Sequence, residues 1–64
     1  MFNIAYVYAG MVKHYCAKPC DHQTAERTLR DFKRRYLNAD GTGRAYPNGK
    51  GVYPISNPRI VAVG

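Results

Sequence analysis

Long apolar runs are missing from this sequence. None approaches the roughly 20 residues needed to span a bilayer, and the start MFNIAYVYAG has no cationic stretch ahead of a cleavable apolar segment. Membrane association is therefore not expected, and the chain reads as a cytoplasmic protein that keeps its initiator methionine. Cysteine is scarce: Cys16 and Cys20 are the only two, and in a reducing compartment they are expected to stay free thiols. The motifs of the common catalytic sites are also lacking. No phosphate-binding Gly-rich loop, dinucleotide fingerprint, nucleophile elbow or metalloprotease helix occurs. Nor do the signatures of the common RNA- and DNA-binding modules, and there are no repeats and no low-complexity tract. With 64 residues the chain holds one domain, too small for a deep catalytic cleft. Neither an enzyme nor a cofactor is expected.

What is present is positive charge. Ten Lys and Arg face four Asp and Glu, a formal net charge of +6. At this length the excess draws in polyanions or acidic proteins. The apolar share is 45%, but six of those residues are tyrosines, which sit half in and half out with the hydroxyl wet. The core is expected to be thin.

Four segments organise the chain. In residues 2–9, Phe2, Ile4, Tyr6 and Tyr8 alternate with Asn3, Ala5, Val7 and Ala9. Neither set is strongly polar, as in a central strand covered on one side and lightly shielded on the other. Gly10 with Met11 predicts a tight turn, and 12–17 alternates again, so a hairpin is expected. Pro19 closes that strand, and Asp21 is placed to cap a helix running to about Leu37. Ala25, Leu29, Phe32 and Tyr36 recur at spacings of four, three and four, a stripe that faces a sheet. Glu26 with Arg30 and Asp31 with Arg35 are expected as i,i+4 ion pairs.

Composition changes over 38–51, NADGTGRAYPNGKG, where four of the six glycines and Pro47 gather in a long loop. Strands are predicted over 52–56 and 59–63, with Asn57-Pro58 forcing a turn or a bulge between them. The expected fold is α+β: one amphipathic helix packed on a small, mainly antiparallel three- or four-stranded sheet, in the order β-β-α-β(-β).

Charge is spread along this layout. Residues 21–37 hold five cations, Arg27, Arg30, Lys33, Arg34 and Arg35, against Asp21, Glu26 and Asp31, five minus three leaving +2. The densest point is Lys33-Arg34-Arg35, which also suits the negative end of the helix dipole. Arg30, Lys33, Arg34, Arg35, Tyr36, Arg44, Tyr46, Lys50 and Tyr53 are the candidate binding residues. Against nucleic acid the cations would meet phosphates and the tyrosines would stack on unpaired bases. Against a protein the same Tyr and Arg residues are the types enriched at interface hot spots. Otherwise the cations merely solubilise the domain, and Tyr46 and Tyr53 pack over the edge of the core.

Two further groupings carry chemistry. His14, Cys16, Cys20 and His22 fall within nine residues and are the ligand types zinc prefers, but their spacing matches none of the standard structural zinc patterns. His14 and His22 would also be the acid/base pair of a small ribonuclease-like enzyme, the remote alternative.

In size and element order the chain resembles the small phage early proteins that disable host enzymes or defences, such as the T7-type inhibitors of bacterial RNA polymerase. Those carry an acidic helix segment where this chain has the basic ERTLRDFKRRY, so no residue role is carried over. The resemblance implies a non-catalytic inhibitor or modulator in the host cytoplasm. Its partner would be a host protein of transcription, nucleic-acid processing or defence. Direct binding of DNA or RNA is the alternative, and a homodimer through an open sheet edge is compatible with either.

Overall fold

The structure, a computed structural model, describes residues 1–63. Strand β1 (Phe2–Tyr8) pairs antiparallel with β2 (Met11–His14) and with β3 (Ile55–Ala62), giving a three-stranded sheet of order β2-β1-β3. Helix α1 (His22–Tyr36) packs on one face. The α+β layout read from the sequence is the observed one, with three strands. Among the described residues no helix is long and apolar enough to cross a membrane.

Both faces of β1 matter to packing. Ile4 is fully buried under the helix, Tyr6 lies 4.9 Å from the Phe32 ring, and Phe2 meets the His22 ring edge-on at 4.9 Å. On the other face Asn3 and Ala5 are buried as well. The hairpin turn is Ala9-Gly10, one residue earlier than expected. Both residues take positive φ, 50° and 85°, and Tyr8 pairs directly with Met11. A two-residue hairpin needs left-handed backbone at both central positions, and a turn started one residue later would slide β2 by two residues against β1.

Strand β2 ends at His14, short of the expected Ala17. Beyond it the Asn3 side chain takes over the ladder, its Oδ1 accepting from Cys16 N at 3.0 Å and its Nδ2 donating to Cys16 O at 3.1 Å. The chain then loops out over 17–19 and returns at Cys20, which exchanges two backbone hydrogen bonds with Phe2 at 2.7 and 2.9 Å.

The helix starts and stops where its local signals place it. Asp21 accepts from Thr24 N at 2.9 Å, and Leu37 ends the run with its N–H on Lys33 O at 2.9 Å. Ala25 and Phe32 are fully buried, and Leu29 and Tyr36 half-buried. The expected Glu26–Arg30 and Asp31–Arg35 pairs do not form. Glu26 instead meets His22 Nδ1 one turn earlier, at 2.7 Å. Arg35 turns toward the hydroxyls of Tyr36 and Tyr15. Exposed pairs hold too little energy to fix long side chains against such competitors.

The last strand is one bent strand and not two. Ala5 pairs with Arg59 but Val7 pairs with Ser56, so β3 carries one extra residue opposite Tyr6, with Asn57 at φ 52°. This is a β-bulge at Asn57-Pro58. Val52, expected to open a strand of the sheet, bridges Ala45 instead. Residues 38–53 are thereby a hydrogen-bonded meander. Arg44 N bonds Tyr36 O at 2.8 Å, Tyr53 N bonds Arg44 O at 2.9 Å, and Tyr46 N bonds Gly51 O at 3.0 Å. Gly43 is obligatory here, because a Cβ would collide with the carbonyl oxygen of Tyr53.

The thin aliphatic core is completed by aromatic rings. Phe32, Leu37 and Ile55 form its buried centre, with Tyr6, Tyr8, Tyr15, Tyr36 and Tyr53 packed against them. A ladder of rings runs from Phe32 to Tyr36 (5.1 Å), to Tyr53 (5.2 Å) and to Tyr46 (4.7 Å). Tyr15 meets both Phe32 and Tyr36 edge-on, at 5.0 and 6.2 Å. Separations of this kind add to the area buried by each ring.

A candidate cationic docking face

Helix α1 delivers three cations, Lys33, Arg34 and Arg35, in its last turn. The meander brings a fourth. Arg44 is held by its backbone N–H on Tyr36 O, its backbone carbonyl under Tyr53 N, and its Nη1 on Arg34 O at 2.8 Å. It therefore satisfies two of the carbonyls that a helix C-terminus leaves open. A guanidinium anchored in this way loses little further freedom when it meets a ligand.

Shallow clefts surround these residues. One of about 300 Å³ is floored by Leu37, Ala39 and Pro58 and edged by Lys33, Asn38 and Asn57. Its neighbours are lined by Lys33, Arg34 and Arg44 on one side and by Asp31, Arg34, Arg35 and Arg44 on the other. Arg30 stands further up the helix, in a depression shared with Glu26, Leu29, Lys33 and Ile60. The Tyr36 hydroxyl oxygen, accepting from the guanidinium, and next the phenol of Tyr15, hold Arg35 even more firmly protonated than usual.

The candidate tyrosines are placed differently from the cations. Tyr36, Tyr46 and Tyr53 belong to the ring ladder and are half-buried. A hydrogen bond with the Tyr8 hydroxyl, followed by burial, raises the pKa of Tyr46. Burial first, and Tyr36 second, raises that of Tyr15. Lys50 sits exposed in the tip turn between Tyr46 and Gly51, its N–H on Asn48 Oδ1 at 3.0 Å. Of the nine candidates, Lys33, Arg34, Arg35 and Arg44 converge, Arg30 lies beside them, and Lys50 sits in the tip turn of the meander.

The four His and Cys side chains do not gather around one point. His14 is exposed on β2 opposite Ala5, Cys16 is tied to Asn3, the Cys20 thiol donates to Phe2 O at 3.6 Å, and His22 is held between Phe2 and Glu26. Among the described residues no three His, Cys, Asp or Glu side chains stand together as metal ligands. Sequence reasoning passed over Asn3 and the capping role of Arg44. A lone Asn in an apolar strand was a usable signal for the first; nothing local marks the second.

No family model matches this sequence, and neither a curated protein nor a solved structure matches it.

Proposed function

We propose that this is a non-catalytic docking domain that sets Lys33, Arg34, Arg35 and Arg44 against an acidic face of another protein, as an inhibitor or modulator of the phage type would. The observation that supports this most is the pairing of an anchored arginine with a cleft of mixed character. Arg34 and Arg44 line a cleft together with Leu37 and Ala39, which also line the neighbouring cleft that holds Pro58. A protein loop offering a carboxylate next to an apolar side chain would meet both, whereas a phosphate backbone would leave the apolar floor unused. Single-stranded nucleic acid would call for exposed stacking rings, and the tyrosines here are engaged with one another. The partner class proposed is a host protein of transcription, nucleic-acid processing or defence that presents an acidic face.

The test is capture from nuclease-treated bacterial lysate, followed by reconstitution with the purified partner. A stoichiometric complex that Arg34→Glu and Arg44→Glu disrupt, and that an acidic-to-basic change on the partner restores, is the expected result. Parallel titrations with single- and double-stranded oligonucleotides at about 50 and 200 mM salt probe the alternative. Tight binding there that falls steeply with salt would overturn the protein-docking reading in favour of nucleic acid.

A further inference from the structure

Cys16 and Cys20 are four residues apart in sequence but adjacent on the fold. The Asn3 side chain clamps both the N–H and the carbonyl of Cys16, and the Phe2 backbone clamps both those of Cys20. Asn3 and Phe2 are consecutive in β1, so the two cysteine backbones are held against neighbouring residues of one strand while exposed Ala17, Lys18 and Pro19 loop away. Both cysteines thus lie along the same edge of β1, one opposite Asn3 and the other opposite Phe2, the kind of close placement a disulfide requires. Both thiols are free and half-buried. The pKa of the Cys20 thiol is raised by its partial burial and next by the neighbouring Cys16.

We infer that Cys16 and Cys20 form a reversible dithiol–disulfide site that is oxidised by exchange with a low-molecular-weight disulfide. The Cys16 thiolate attacks one sulfur of the disulfide RSSR, a bond forms to that sulfur, and RS⁻ leaves with the electron pair. The Cys20 thiolate then attacks the Cys16 sulfur of the mixed disulfide and expels the second RS⁻. Each leaving thiolate takes up one of the protons given up by the two cysteines. The net change is two protein thiols and RSSR converted to one protein disulfide and two RSH. Cys16, the more loosely engaged thiol, is the attacking group. Cys20, with its sulfur on Phe2 O, is the resolving one. The closed ring would fasten the segment after β2 directly to the residue preceding the helix cap Asp21.

The experiment is intact-mass analysis of the wild-type protein incubated with oxidised glutathione, with Cys16→Ser and Cys20→Ser alongside. Expected is a monomer lighter by two hydrogens, carrying no glutathione and restored by dithiothreitol. Cys20→Ser should retain one glutathione on Cys16, because the resolving thiol is gone. Wild-type protein that keeps glutathione on either cysteine, crosslinks between chains, or does not react would overturn the proposal. These readouts use the wild-type chain, so poor folding of a variant does not obscure them.

Discussion

Arg44 Nη1 donates to the carbonyl oxygen of Arg34 at 2.8 Å, so the meander that follows the helix is also what caps it. Two like-charged residues are thereby held side by side, the backbone of one satisfied by the side chain of the other. The repulsion is moderated by the negative end of the helix on which they sit.

Arg44→Ala should lower stability by about 0.5–1.5 kcal/mol, the net worth of one such hydrogen bond at a partly solvated site. A urea melt with the midpoint lowered and the slope unchanged is the expected readout. Arg44→Lys should recover little of it, since an ammonium cannot reproduce the guanidinium geometry.

Asn3 holds three backbone groups at once, Ile4 N, Cys16 N and Cys16 O, at 2.7, 3.0 and 3.1 Å. Asn3→Ala would leave partly buried polar groups unpaired and should cost about 1–3 kcal/mol. Hydrogen exchange of the Cys16 amide should accelerate well ahead of the helix amides; equal acceleration of both would show that Asn3 does not act locally.

Phe32 is the largest fully buried side chain and the start of the ring ladder. Phe32→Ala should remove about 3–5 kcal/mol, a large share of what a domain this small possesses. Near-UV dichroism from the tyrosines should collapse, while Phe32→Leu retains part of it.

Alkaline titration should be resisted by the folded state. Tyr46, hydrogen-bonded to Tyr8, and Tyr15, partly buried beside Tyr36, both have raised pKa values. A phenol with a raised folded-state pKa binds its proton more tightly when folded. Its stabilising contribution is fully present below about pH 10 and is lost as pH rises through the folded-state value. Phenolate absorbance should therefore show at least two tyrosines ionising late and together with unfolding. Tyr8→Phe should let Tyr46 ionise earlier.

Helix α1 was readable to within a residue because its signals are local: Asp21 lies three residues from the N–H it accepts, and Ala25, Leu29, Phe32 and Tyr36 share one face whatever packs on it. The central place of β1 was legible for a similar reason, in its two apolar faces. The turn at Ala9-Gly10, the early end of β2 and the merging of the last two predicted strands were not. Each depends on register against β1: the turn and the end of β2 on pairing within the hairpin and on the Asn3 side chain, the last strand on partners at the other end of the chain. The cation cluster was half legible. Lys33, Arg34 and Arg35 are contiguous, but Arg44 joins them only because Gly43 lets the meander press against Tyr53. The tyrosines were read as candidates for contact with a partner, and three of those candidates instead turn toward one another, which composition alone does not distinguish.

The bulge at Asn57-Pro58 has a bearing on crowding. A sheet of three strands exposes two edges, and rows of unpaired N–H and C=O groups there template fibrils. Here β2 is only four residues long, and it carries Lys13. The longer edge, β3, is kinked by the bulge and contains a proline that brings no N–H. Neither edge offers a long, flat row of donors and acceptors, so concentrated solutions of this small domain should resist amyloid conversion, and straightening β3 by deleting Asn57 should weaken that resistance.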